Sequence, residues 1–303
     1  MVKALLAAGV ICAALTAPAV ADERVTLGWG RLFTNDALGD GRDRWRTGAY
    51  TASRVRGYSW SGDKTARMGD ILEFRARGET IAPVNLASPA ADDRRYAAML
   101  SFGMHTHFDW KGNEVNLGGD LVFVGPQTGI SRFQSFIHNL LNLPKPQVAT
   151  NELGNAVYPT LVAELGRTIA LGDNARIRPF VEAQAGLETF VRVGGDLVIG
   201  KLGQDDLMLR DPGTGQRYRA VEGTRDQSLS VVIGGDYAQI FDSNLMPGGE
   251  TATLSEGRSR LRAGVHWQGK KASAFYGLSY LGPEFDEQSE GQVVGALNLN
   301  LQF

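Results

Sequence analysis

Two groups of residues in this chain have the types and spacing to do chemistry. Gln134 and His138 are four apart in a stretch that reads as helix, so they project from one face and can address a single ligand. A neutral histidine is a general base near neutral pH. Asn35 and Asp36 form the second group, at the end of a strand and ahead of a Gly- and Asp-rich loop that carries Asp40 and Asp43. Carboxylate and amide oxygens are the donors a hard cation such as calcium takes. Together the two groups supply the parts for ester hydrolysis: a metal-polarised carbonyl and a histidine-activated water. An Asn-Asp pair is equally an ordinary turn former, and a histidine on an amphipathic helix is equally a packing residue, so the residue types alone leave both readings open. His105 and His107, two apart on one strand with Asp109, all face one side, where either a metal site or ordinary lumenal polarity would account for them. No Ser-His-Asp set stands at a recognisable spacing, and there is no Gly-x-Ser-x-Gly elbow.

The elements that must position these groups are one helix and many strands. Residues 125–142, GPQTGISRFQSFIHNLLN, hold the one convincing helical pattern, with Ile130, Phe133, Ile137, Leu140 and Leu141 at spacings of three and four. Strands are predicted at 23–34, 46–60, 67–77, 94–110, 114–124, 156–170, 175–187, 189–200, 227–241, 257–268, 271–281 and 292–303. That makes twelve, an even number as a closed bacterial barrel requires. In the last of them, VVGALNLNLQF, apolar and polar residues alternate with period two up to the terminal Phe303. In the tenth, Arg258, Arg260 and Arg262 oppose Leu261, Ala263, Val265 and Trp267. Those arginines must face a lumen, paired with acids such as Glu164 or Asp236, because on the lipid side each would cost about 2 to 4 kcal/mol. The fold class is therefore all-β: a transmembrane antiparallel β-barrel of twelve strands with one short helix in an outer loop.

Residues 1–21 read as a secretory signal peptide, with Lys3, an apolar run and Ala19-Val20-Ala21 before Asp22; residues 22–303 form one barrel domain. The only cysteine, Cys12, lies in that leader, so the mature chain has no disulfide or thiolate metal site. A formal net charge of -2 gives no case for nucleic acid. With both termini periplasmic, the loops at 35–45, around 83–93 and through the helix fall on the outer side, so Asn35-Asp36 and Gln134-His138 share one rim. The segment 201–226 is too long for a periplasmic turn: it is either an elaborated loop or a sign that the strand count is off.

Four motifs then keep a common order: Asn35-Asp36, the run DRWRTG over 43–48, the run DDRRYA over 92–97, and Gly125-Pro126 with Gln134-x-x-x-His138. In these the chain resembles the lipid A 3'-O-deacylase family, over roughly the first half of the mature sequence. The resemblance implies an outer-membrane enzyme whose site lies between the barrel wall and the helix. It implies a Ca2+ cofactor and lipid A, within lipopolysaccharide, as substrate. Residue by residue, it assigns Asn35 and Asp36 to the calcium and oxyanion site, His138 to the base, and Gln134 to orienting substrate or water. Thr47 and Arg94 match motif positions without an assigned role. Departures from the family pattern are Arg95 where Pro is usual, Ala98-Met99 for Gly-Trp, and 144–147, PKPQ, after the helix. A monomer in the outer membrane is expected. A non-catalytic narrow pore or surface-binding barrel on the same scaffold, and an outer-membrane phospholipase, are the competing readings.

Overall fold

The computed structural model describes residues 23–62, 67–85, 88–140, 152–223, 226–246 and 252–301, without the side chains of 137–139. The predicted leader, residues 141–142 of the helical stretch, the departure at 144–147 and Phe303 lie outside the described residues.

Fifteen strands form: β1 (Val25–Asn35), β2 (Trp45–Gly57), β3 (Leu72–Ala82), β4 (Ala97–Trp110), β5 (Asn113–Val124), β6 (Ala156–Gly166), β7 (Ile169–Ala170), β8 (Ala175–Ala185), β9 (Glu188–Ile199), β10 (Leu207–Arg210), β11 (Arg217–Val221), β12 (Ser228–Ser243), β13 (Gly257–Gln268), β14 (Ala272–Leu281) and β15 (Gln292–Leu301). All of them except β7, β10 and β11 make the wall, each antiparallel to its neighbours, and the pairing of β6 with β8 closes the ring at twelve strands. Closure leaves no edge, which a sheet in hydrocarbon requires. The predicted strands match closely, with one clear displacement. The third runs over Leu72–Ala82 rather than 67–77, because its upper end continues to pair with β2 up to Trp45 opposite Ala82.

Alternation divides the residues as their chemistry demands. Leu161, Val193, Ile233, Leu261 and Leu299 are exposed on the outside, an apolar belt that only lipid can cover. Arg258, Arg260 and Arg262 of β13 are buried inside, as expected. Arg260 donates to Asp236 at 2.8 Å and Arg262 to Asp196 at 2.7 Å, while Arg258 reaches Glu188 at 2.7 Å. Glu164 lies in the same lumen but serves Arg178 and Arg210 instead. His105 and His107 also point inward, each to its own carboxylate: Asp120 at 3.1 Å and Glu73 at 2.9 Å. Among the described residues no group of three His, Asp or Glu side chains is arranged to hold a metal ion, so these histidines belong to the charge network.

The long segment 201–226 is resolved by β10 and β11, which pair as a hairpin and rise into the lumen from the short-turn, periplasmic end. Its apolar residues Leu207, Leu209, Tyr218, Ala220 and Val221 pack against Leu32, Val55, Val232, Phe275 and Ala296 of the inner wall. On β1 the wall thins to admit it: a Cβ on Gly28 would sit 2.2 Å from the Ala220 carbonyl oxygen. The turn at the tip is pinned by Asp211, fully buried, which accepts from Thr214 N and Oγ1 at 2.8 Å and from Thr51 and Arg77. Arg260 donates to the carbonyl of Pro212 at 2.6 Å. Above the tip remains a cavity of about 100 Å³, floored by Pro212 and Gly213 and lined by lumenal charges such as Arg77, Glu79, Glu188 and Arg260 as well as by Leu187, Leu245 and Leu281. The twelve-strand count was right, and the hairpin occupies part of the lumen.

The Asp211 network gives a stability prediction. Asp211→Ala leaves the Thr51 and Thr214 hydroxyls without their acceptor and takes from Arg77 one of its two carboxylates, Glu79 remaining, a loss of up to about 3 kcal/mol by the usual cost of weakening a buried charge network. Urea unfolding of the detergent-solubilised barrel, followed by tryptophan fluorescence, measures it; Asp211→Asn, which keeps an acceptor for Thr214, should lose less.

Candidate active site on the outer wall

β1 ends at Asn35, in extended backbone, and the chain turns through a single 3-10 turn, Asp36–Leu38. Asn35 drives that turn by capping it: its Oδ1 accepts from the Ala37 N–H at 2.8 Å. Its Nδ2 donates to the Thr47 carbonyl at 2.8 Å. Both ends of the amide are thus engaged in tying β1 to β2 and aiming the next residue. Gly48 makes the room, since a Cβ there would lie 2.8 Å from Asn35 Nδ2.

The residue so aimed is Asp36, 3% exposed, whose Oδ2 accepts from the Arg44 N–H at 3.1 Å. Burial, reinforced by the charges of Asp43 and Asp40, pushes its carboxyl up to about 7 against the opposing pull of the Arg44 and Ala37 N–H groups. A buried carboxylate beside two others gathers oxygen donors that favour a positive charge. This is the chemistry a bound cation would satisfy, and it is the observation by which the loop fits calcium. Because no cage of three acidic or histidine side chains exists among the described residues, any ion held here would take Asp36 together with backbone, water or substrate oxygens.

Next to this loop, β2 carries a bulge: the register against β3 shifts between Arg46 and Gly48, leaving Thr47 unopposed. Arg46 turns into the lumen, to Glu79 at 2.9 Å and Glu284 at 2.5 Å. The Thr47 hydroxyl instead points across the wall toward the Thr80 carbonyl, at 3.4 Å. In β3 the lumenal residues are Glu73, Arg75, Arg77 and Glu79, so Thr80 and Ala82 stand on the outer face. In β4 the parity of exposed Phe102 and Met104 puts Ala98 on that face too, and Tyr96, just before the strand, continues it.

The helix α1 (Ile130–Leu140) is laid over this outer face. Ile130 packs on Ala82, Tyr96 and Ala98. Tyr96, 1% exposed, donates its hydroxyl to Gln134 Oε1 at 2.6 Å. Its burial raises the phenol pKa against the opposing pull of the nearby Thr80 hydroxyl, so it stays a protonated donor. The Tyr96 carbonyl accepts from Leu153 N at 2.8 Å, and Arg95 reaches the Glu152 carbonyl at 2.6 Å, so the chain leaving the helical loop is fastened at the same place. Phe133 and Phe136 stay exposed.

A row therefore runs over three strands and the entry to β4 onto the helix: Asn35, Thr47, Thr80, Tyr96, Gln134. His138 follows Gln134 by one turn on α1; its side chain is outside the described atoms. Arg94, by contrast, turns inward, 1% exposed and paired with Glu284, so its motif position serves the lumen. Burial would raise Glu284, but Arg46, Arg94 and Arg258 together hold it well below the usual carboxylate range. Sequence reasoning placed Gln134 and Asp36 on one rim but gave no role to Tyr96, Thr80 or Gly48. The signal for Tyr96 was its place in the 92–97 motif, a tyrosine at a strand entry with a polar tip needing a partner.

Asp36 yields a pH prediction. Its folded-state pKa of about 7 lies above the ordinary 3.8, so in divalent-free buffer it lowers stability as pH rises from about 4, levelling off above about 7. Thermal midpoints of wild type and Asp36→Asn, measured side by side from pH 4 to 8 with chelator present, should diverge in favour of the variant over that window. Parallel curves would show that Asp36 is not strained.

Comparison with known proteins agrees with this architecture. LpxR from Salmonella typhimurium has the same fold, with a TM-score of 0.77 at 16% sequence identity, covering 91% of this chain and 100% of that one. The KdgM porin and the β domain of the Bordetella autotransporter BrkA match only at 0.41, with 5% and 12% identity, over 91% of this chain and 98% and 99% of theirs. No curated protein sequence matches. The model of the family described as outer membrane protein LpxR matches residues 6–303. With a closed, lipid-belted barrel and that match over nearly its whole length, the chain belongs to the LpxR family of outer membrane proteins.

Proposed function

We propose that this protein is a calcium-dependent esterase that removes the 3'-O-linked acyl chain from lipid A. The observation that carries the reading is the seating of α1 on the outside of the wall through the Tyr96 to Gln134 hydrogen bond, on the same rim as Asn35 and Asp36. That face meets the leaflet in which lipid A resides. An ester there is reached without pulling the lipid from the membrane. The family membership and the motif resemblance point the same way.

In this mechanism the chain's own groups divide the work. His138 takes the proton from a water as the water oxygen bonds to the ester carbonyl carbon, and returns it to the sugar oxygen as the carbon–oxygen bond breaks, releasing fatty acid. Gln134, on the same helical face, orients the reacting groups. Asn35 caps the turn that presents Asp36. Asp36 would hold calcium, which when bound supplies positive charge for the oxyanion that develops on the carbonyl. The barrel's apolar outer belt supports the acyl chains while the wall and helix exclude bulk water.

Mass spectrometry of lipid A from cells with and without the protein tests the reading. The expected result is loss of one acyloxyacyl mass, abolished by His138→Ala in a barrel that still folds and by chelation of calcium. Undiminished release by His138→Ala would sink the mechanism. Unchanged lipid A with hydrolysed phospholipids would instead identify a phospholipase, and no lipid change at all a non-catalytic barrel.

A further inference from the structure

The amide of Gln134 has an oxygen that accepts and an NH2 that donates, and only its partners decide which end faces where. Its partner on the wall is the Tyr96 phenol, at 2.6 Å. That separation suits an O–H donating to an oxygen, whose usual distance is about 2.7 Å, better than an N–H donating to one, at about 2.9 Å. The Oε1 end is therefore the one turned to the wall. The phenol is set as donor by its own surroundings: buried among Ala82, Ala98 and Ile130, with the Thr80 hydroxyl beside it. Thr80 lies next to Thr47, and Thr47 to Asn35, so the chain of contacts begins at the loop that aims Asp36.

From this geometry we infer that Tyr96 is a positioning residue, holding Gln134 with its amide oxygen toward the wall and its NH2 toward the ester, where the NH2 donates to the carbonyl oxygen as that oxygen becomes negative. The inference rests on the esterase reading. It adds a specific role for Gln134: a hydrogen-bond donor one helical turn from the base, rather than a mere anchor of the helix. Among the described residues no hydrogen bond engages that NH2. The same phenol seats α1 by packing on Ile130, so the anchor and the orientation must be separated by experiment.

Gln134→Glu separates them. Glutamate has the same length and still accepts from Tyr96, so the helix stays seated, but it has no N–H to offer. Acyl release from purified lipopolysaccharide by the full-length barrel in detergent with calcium is measured for wild type, Gln134→Glu, Gln134→Ala, Tyr96→Phe and the Tyr96→Phe/Gln134→Ala double variant. Gln134→Glu should lose kcat by about 100-fold or more, the usual effect of removing one donor to an oxyanion, with its thermal midpoint and KM near those of wild type. Tyr96→Phe should lose kcat by about 10-fold with KM unchanged, and should cause no further loss once Gln134 is alanine, since residues acting through one another are non-additive. A Gln134→Glu enzyme with near wild-type kcat overturns the inference and leaves the esterase reading standing. Multiplied losses in the double variant overturn the role assigned to Tyr96. A wild-type protein that releases no acyl chain overturns both.

Discussion

Everything in this molecule follows from the absence of water around its wall. In hydrocarbon each backbone N–H and C=O needs a partner within the protein, and a ring of twelve antiparallel strands, with β6 paired to β8, supplies most of them. Closure forces period-two alternation, and alternation sends charge to one side. The lumen accordingly collects Arg258, Arg260 and Arg262 with Glu188, Asp236 and Asp196, and its neutrality depends on pairing. The periplasmic hairpin β10–β11 occupies much of what space is left. An interior so committed leaves the outside face, where α1 meets the wall, as the place for the proposed site.

The motif at 92–97 shows how one short run can serve both sides. Arg94 and Tyr96 differ by two positions, yet Arg94 is in the lumen with Glu284 and Tyr96 is outside with Gln134. The irregular entry into β4 breaks strict alternation there. The bulge at Thr47 does the same for β2, sending Arg46 inward to Glu284 and Thr47 across the outer face. Both breaks lie at the rim, where the ladder can tolerate them, and together they place the lumenal ion pairs directly behind the proposed site. A substitution at Glu284 would thus act on the outer face through the wall, by way of Arg46 and Arg94.

Much of the architecture was legible in the residues because alternation is a local signal. Gly257–Gln268 could be bounded at both ends from its period-two alternation, from Arg258 through His266 to Gln268. The third strand was misplaced because Gly78 and Thr80 resemble the start of a loop; what keeps them in the sheet is pairing with β2, which no local pattern reports. The hairpin at 201–226 stayed undecided for a similar reason. Its strands, Leu207–Arg210 and Arg217–Val221, are too short to stand alone, though alternation about the 211–215 turn was a signal that a hairpin could have been read from. Of the site, the topology put Asn35, Asp36, Gln134 and His138 on one rim. The link through Thr47, Thr80 and Tyr96 was not readable, because it depends on which face each residue takes beside a bulge.

The ring of strands is not equally strong all round. Where β1 meets β15, three residue pairs are in register among the described residues, from Phe33 opposite Leu297 to Asn35 opposite Gly295, whereas β1 pairs with β2 at ten. Below them the Asn298 side chain, rather than a backbone N–H, serves the Arg31 carbonyl. It is behind this same stretch that the hairpin lies, with Tyr218 and Ala220 against Gly30 and Gly28. The cylinder is thus zipped at the top and propped from within along the rest of its seam, so the hairpin acts as a keystone. Along that stretch what backs the first strand is the hairpin rather than backbone pairing with the last strand.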